Sequence, residues 1–70
     1  MKNFISRLQD EKDQIDKKIE KLDAFTKSGD FDNIDNVQRG LLRIQLSAMQ
    51  NYSQVLYERL WRLKLPVNVD

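Results

Sequence analysis

Arg7 and Glu11 stand four residues apart near the start of the chain, and Tyr52 and Arg59 stand seven apart near its end. Brought together, a carboxylate, a phenol and two guanidiniums would form a small polar site. Guanidinium forks grip phosphate oxygens in pairs, and aromatic faces stack on bases. In such a site Glu11 would orient Arg7 or accept a ligand's hydrogen. A rival pair, Arg39 and Arg43, falls at i,i+4 on the expected first turns of a helix, where the helix dipole favours anions. Arg59 and Arg62 flank Trp61, and Tyr57 lies one turn before it. The simpler account of these residues is a solvated basic face with Trp61 as a core or interface anchor. A ring of identical protomers would change that, because it places several copies of each arginine around shared pockets.

Other chemistries are narrowed by absence. The chain has no cysteine and no histidine, which removes disulfides, thiolate zinc sites and the commonest general base. Asp10, Asp13 and Asp16 fit a solvated helix face and match no metal loop. No catalytic residue, metal or cofactor is therefore expected, and the protein is expected not to be an enzyme. The net charge is +1, too small for a protein that holds nucleic acid by clustered phosphate contacts. Its distribution is uneven: residues 1–35 carry seven Lys/Arg and nine Asp/Glu, residues 36–70 five and two. No apolar run is long enough to span a bilayer or to form a signal peptide, so the expected location is the cytoplasm.

These residues need elements to position them. Phe4, Ile5, Leu8, Ile15, Ile19, Leu22 and Phe25 recur at helical spacing and predict a helix over about 3–26. Residues 27–35, "KSGDFDNID", break the pattern. There Gly29 is expected in a left-handed conformation after the helix, Ser28 as the cap of a short turn, and Phe31 and Ile34 as a plug. Asp35 with Gln38 three residues on is a capping box for a second helix over about 36–65. Pro66 then predicts an extended tail over 66–70.

The second helix carries two apolar rows. Leu42, Leu46, Met49, Ser53, Leu56, Leu60 and Leu63 form a seven-residue repeat with one polar member, and Leu41, Ile44, Ala48, Tyr52 and Val55 run beside it. From Ile44 to Tyr57 there is no charge at all. Level helix ends would pair residues whose numbers add to about 63, from equal rise per residue. Ile15 then meets Ala48 or Met49, Leu8 meets Val55 or Leu56, and Phe4 meets Arg59 or Leu60. Glu11 is level with Tyr52, and Gln45 with Lys18. One narrow first helix cannot cover both rows, and excess apolar surface marks an interface. The expected fold is all-α: a single antiparallel two-helix hairpin over residues 1–70 that assembles into a homo-oligomeric helical bundle. Leu46, Met49, Tyr52, Leu56, Tyr57, Leu60 and Trp61 are the expected oligomer interface.

The stretches "RLQDEKDQIDKKIEKLDAF" and "SGDFDNIDNVQRGLLRIQLSAMQNYSQVLYERL" resemble a family of small, uncharacterised phage proteins, known by likeness to a gene product of a crAss-like phage. The resemblance runs over about residues 4–60. It is carried by Arg7, Leu8, Glu11, Lys18, Lys21, Leu22, Phe25, Ser28, Phe31, Gln38, Leu41, Leu42, Gln45, Met49, Tyr52, Leu56, Arg59 and Leu60. It implies a phage origin and a small helical fold, and leaves Trp61 and the tail outside. By analogy with small oligomeric phage proteins that block bacterial immunity, the expected role is sequestration of a nucleotide-derived immune signal without cleavage. A cyclic oligonucleotide or an ADP-ribose derivative would supply phosphates for arginine and a base for Tyr or Trp. The alternatives are a helical inhibitor or adaptor that binds a host defence protein, and a nucleic-acid-associated regulator acting through Arg39 and Arg43.

Overall fold

The computed structural model describes residues 3–64. The expected tail over 66–70, and the expected helix end at 65, lie outside that range. Three helices follow in order: α1 (Phe4–Thr26), α2 (Gly29–Asp32) and α3 (Asn36–Lys64). The two long ones lie antiparallel as a hairpin, and no strand occurs among the described residues.

Side chains close both ends of α1 and the start of α3. The Asn3 carboxamide oxygen accepts from the Ser6 N–H at 2.7 Å and caps α1. At its other end the Thr26 and Ser28 hydroxyls donate to the Asp23 and Phe25 carbonyls, both at 2.7 Å, occupying acceptors that a helix end leaves open. Ser28 therefore works backwards onto α1 and makes no side-chain cap for α2. Gly29 is not left-handed: no described glycine has a positive φ, and Gly29 is the first residue of α2. The Asp35 carboxylate accepts from the N–H groups of Val37 and Gln38 at 2.7 and 3.2 Å, starting α3.

The core is thin. Leu8, Leu56 and Leu60 are buried together, with Ile5 and Ile15 packed against them. Phe31 from α2 is buried at the hinge, edge-on to Phe25 at 5.9 Å, with the Arg43 guanidinium 4.9 Å over its ring. Ile34, the other half of the expected plug, is half-buried.

Contacts across the seam bracket the expected pairing. The Arg59 guanidinium lies over the Phe4 ring, a pair adding to the expected 63, and Leu8 clusters with Leu56 and Leu60, adding to 64 and 68. Ser53 of α3 donates to Asp16 of α1, a pair adding to 69. At the hinge, α2 places Phe31 against Phe25 of α1 and under Arg43 of α3.

Candidate functional site

Phe4, Arg7 and Glu11 follow one another by three and four residues, as do Tyr52, Val55 and Arg59. Such spacing keeps each trio on one side of its helix. The Arg59 guanidinium lies 5.8 Å from the Phe4 ring centroid, which joins the two trios into one side of the hairpin. Arg7, Glu11, Tyr52 and Arg59 thus share a face. They do not form the compact polar network expected of them. All four are exposed, and among the described residues no hydrogen bond or ion pair joins them. The reason is where the side chains point: Arg59 closes over the Phe4 ring, and Arg7, Glu11 and Tyr52 stay in water. Gln45 and Lys18, expected near the seam, are likewise exposed.

The rival pair is engaged in the hinge. Arg43 covers Phe31, and Arg39 donates to the Asp32 carbonyl at 3.4 Å and to the Asn36 side chain. Both guanidiniums tie α2 to α3.

The residues expected at an oligomer interface separate into three groups. Leu56 and Leu60 are 0% and 5% exposed; the single chain already covers them, so they are core and have no area left for a partner. Leu46 and Met49 are half-buried along the seam. Tyr52, Tyr57 and Trp61 remain about half exposed, Tyr52 on the face with Arg59 and the other two across the hairpin from it. Beside Tyr52 runs an uncovered apolar row: Val37, Leu41, Ile44 and Val55 are all more than half exposed.

Two features on the opposite side were not anticipated. The first is a polar chain across the seam. Asp16, placed by the sequence on a solvated face, accepts from Lys12 at 2.7 Å and from the buried Ser53 hydroxyl. The bond from Lys12, then that from Ser53, holds the Asp16 carboxyl below its ordinary value of 3.8. Its signal in the sequence was Ser53 itself, the one polar member of an apolar repeat, which needed a partner once buried. The second feature is a cleft of about 310 Å³ at the open end, lined by Gln9, Lys12, Tyr57, Leu60, Trp61 and Lys64. Tyr57, Trp61 and Lys64 sit at i, i+4 and i+7 and supply one wall; Gln9 and Lys12 supply the other.

Among the described residues no three acidic side chains gather as a metal site would require, and no helix is long and apolar enough to cross a membrane. The arrangement offers guanidiniums, ammoniums and aromatic faces, a chemistry suited to holding an anionic aromatic molecule.

A model of the family described as Sequestin matches residues 2–62, a span that takes in α1, the hinge and α3 up to Arg62. No curated protein and no solved structure matches the chain.

Proposed function

The chain belongs to the Sequestin family, and from that premise we propose that it sequesters a nucleotide-derived immune signal without cleaving it. It acts as a phage anti-defence protein in the cytoplasm of the bacterial host, and its ligand is a cyclic oligonucleotide or an ADP-ribose derivative. The observation that carries this reading is the family match, whose name describes sequestration and whose extent covers α1, α2 and all but the last two residues of α3. Equilibrium capture needs only affinity, which suits the side chains at hand. Among the described residues the one carboxyl with a resolved shift, Asp16, is pushed down. That makes it a weaker base, the reverse of the tuning general acid–base catalysis uses.

Self-association completes the proposal. The uncovered row on α3 gives two copies a matching apolar face, and an assembly multiplies whatever site one chain carries. The same row supports a second reading, a helix-in-groove contact with a host defence protein. Calorimetric titration with cyclic di- and trinucleotides and ADP-ribose derivatives separates the two. Sequestration requires saturable binding by at least one member, and the ligand released by heat must run unchanged on chromatography. A protein that binds none of them, or returns a cleaved product, is not a nucleotide sponge. Nucleotide carried through purification would also raise absorbance at 260 nm.

A further inference from the structure

We infer that the cleft between Tyr57, Trp61, Lys12 and Lys64 is the ligand site, taking the base and nearest phosphate of an aromatic nucleotide. This rests on the sequestration reading and specifies where capture occurs: on the side of the hairpin opposite Arg7, Tyr52 and Arg59.

The dimensions fit one nucleotide unit. At about 310 Å³ the cleft sits at the lower end of the ~300–1,000 Å³ that small-molecule sites occupy. Its floor is Leu60, 5% exposed, so a flat ring entering it meets apolar surface. Tyr57 and Trp61 stand one helical turn apart and are 51% and 50% exposed. Two aromatic side chains left half in water on one wall of a cleft offer faces for a base to stack on. The remaining lining is cationic or amide. Lys64 is exposed at the rim, on the last turn of α3. Lys12 has three N–H donors, of which Asp16 takes one at 2.7 Å. That bond fixes the ammonium at the cleft without exhausting it, and Asp16 is in turn held by Ser53 across the seam. Gln9 gives its amide hydrogen to Asp13 at 3.0 Å, which leaves its carbonyl oxygen as the acceptor for a base or ribose donor. The lining therefore has a stacking wall, an apolar floor, two cations and one acceptor, and it draws on both long helices.

The opposite face lacks this combination. There Arg7 and Arg59 stand on an exposed surface beside the uncovered apolar row. That face suits a second chain better than a small molecule.

Trp61 is the sole tryptophan, so its emission reports on this cleft alone. Titration of the full chain with ADP-ribose and with a cyclic di-adenylate, excited at 295 nm, should change Trp61 emission in step with the calorimetric binding curve. Trp61→Leu, which removes a half-exposed ring and leaves the core intact, should weaken calorimetric binding by roughly five- to 150-fold, the range of one base–aromatic stack. Trp61→Phe should recover part of that loss. Lys64→Ala should weaken binding about five- to tenfold, and Arg59→Ala should leave it within about twofold, each with unchanged circular dichroism. Binding by calorimetry with silent Trp61 emission and full affinity in Trp61→Leu would overturn the cleft while sparing sequestration. So would a loss confined to Arg59→Ala. Absence of binding to every nucleotide tested would remove both.

Discussion

Val55 and Leu56 are neighbours on α3 with opposite surroundings, 54% and 0% exposed, and the difference gives a sharp test of assembly. Val55→Glu places a carboxylate within the uncovered row of Val37, Leu41, Ile44 and Tyr52. That row exposes on the order of 500 Å² of side chain per chain, against the ~800 Å² each partner contributes to a standard interface. In a single chain the new carboxylate reaches water, and glutamate is the better helix former by a few tenths of a kcal/mol, so the hairpin should keep its helicity. Between two chains it is buried without a partner, at a cost of several kcal/mol. Even ~3 kcal/mol weakens association more than 100-fold. Sedimentation velocity at micromolar concentration should therefore show an assembly for the parent chain and a monomer for Val55→Glu, with matching circular dichroism. A variant that sediments with the parent's mass would show that the row is not the interface. A parent chain that is itself a folded monomer would remove the reason given for the uncharged stretch from Ile44 to Tyr57.

Other substitutions probe the hairpin itself. Leu56→Ala should cost ~2–5 kcal/mol, enough to unfold much of so thin a core, and a denaturant midpoint equal to the parent's would place the core elsewhere. Met49→Asp, at a half-buried seam position, should lower the melting temperature far more than Lys17→Ala, which touches only an exposed charge; equal melting would mean the seam is misplaced. Asp16 has a folded-state pKa below 3.8, so its contribution to stability is complete above the unfolded value and lost as pH falls through the folded one. Acid unfolding below about pH 4 should accordingly flatten in Asp16→Asn, and an unchanged acid limb would refute the role of the Lys12–Asp16–Ser53 chain. Arg43→Ala should loosen the hinge by uncovering Phe31, seen as faster amide exchange in α2 with little change at the open end.

The helices were legible because their apolar residues recur at helical spacing and their ends carry recognisable caps, Asp35 above all. Pairing across the seam was legible in part. Arg59 does meet Phe4 and Leu8 does cluster with Leu56, whereas Ser53 reaches Asp16 six positions from the expected level. A sum of residue numbers sets the level along the axis and says nothing of the direction around it, so Glu11 and Tyr52 were matched in level and still both face water. Asp16 was misplaced for the same reason: it sits at the edge of the apolar stripe, next to Ile15, within reach of the buried Ser53. Gly29 misled for a local reason: a glycine after a helix commonly turns left-handed, but here Thr26 and Ser28 hydroxyls close the helix end, and the chain can enter α2 with ordinary φ values. Tyr57 and Trp61 were legible as aromatics needing a role. Which side of the hairpin they occupied follows from their helical phase relative to the buried Ser53, Leu56 and Leu60.

With four buried apolar residues among those described, Leu8, Phe31, Leu56 and Leu60, the hairpin has little intrinsic stability for preorganising a site. The cleft compensates by its position. Gln9 and Lys12 come from α1 while Tyr57, Trp61 and Lys64 come from α3, so an occupant bridges the two helices at their open end, farthest from the hinge that ties them. Binding there is binding to the closed hairpin, and ligand at 100 times its Kd would add ~2.7 kcal/mol to the folded state. Capture and folding are then coupled. The Lys12–Asp16–Ser53 chain crosses the seam one turn inward from the cleft, holding the wall that carries Lys12 against α3 before any ligand arrives. With the proposed site in that cleft, a protein of this size would gain affinity without a large rigid core, because the parts that must not move would be the two turns lining it.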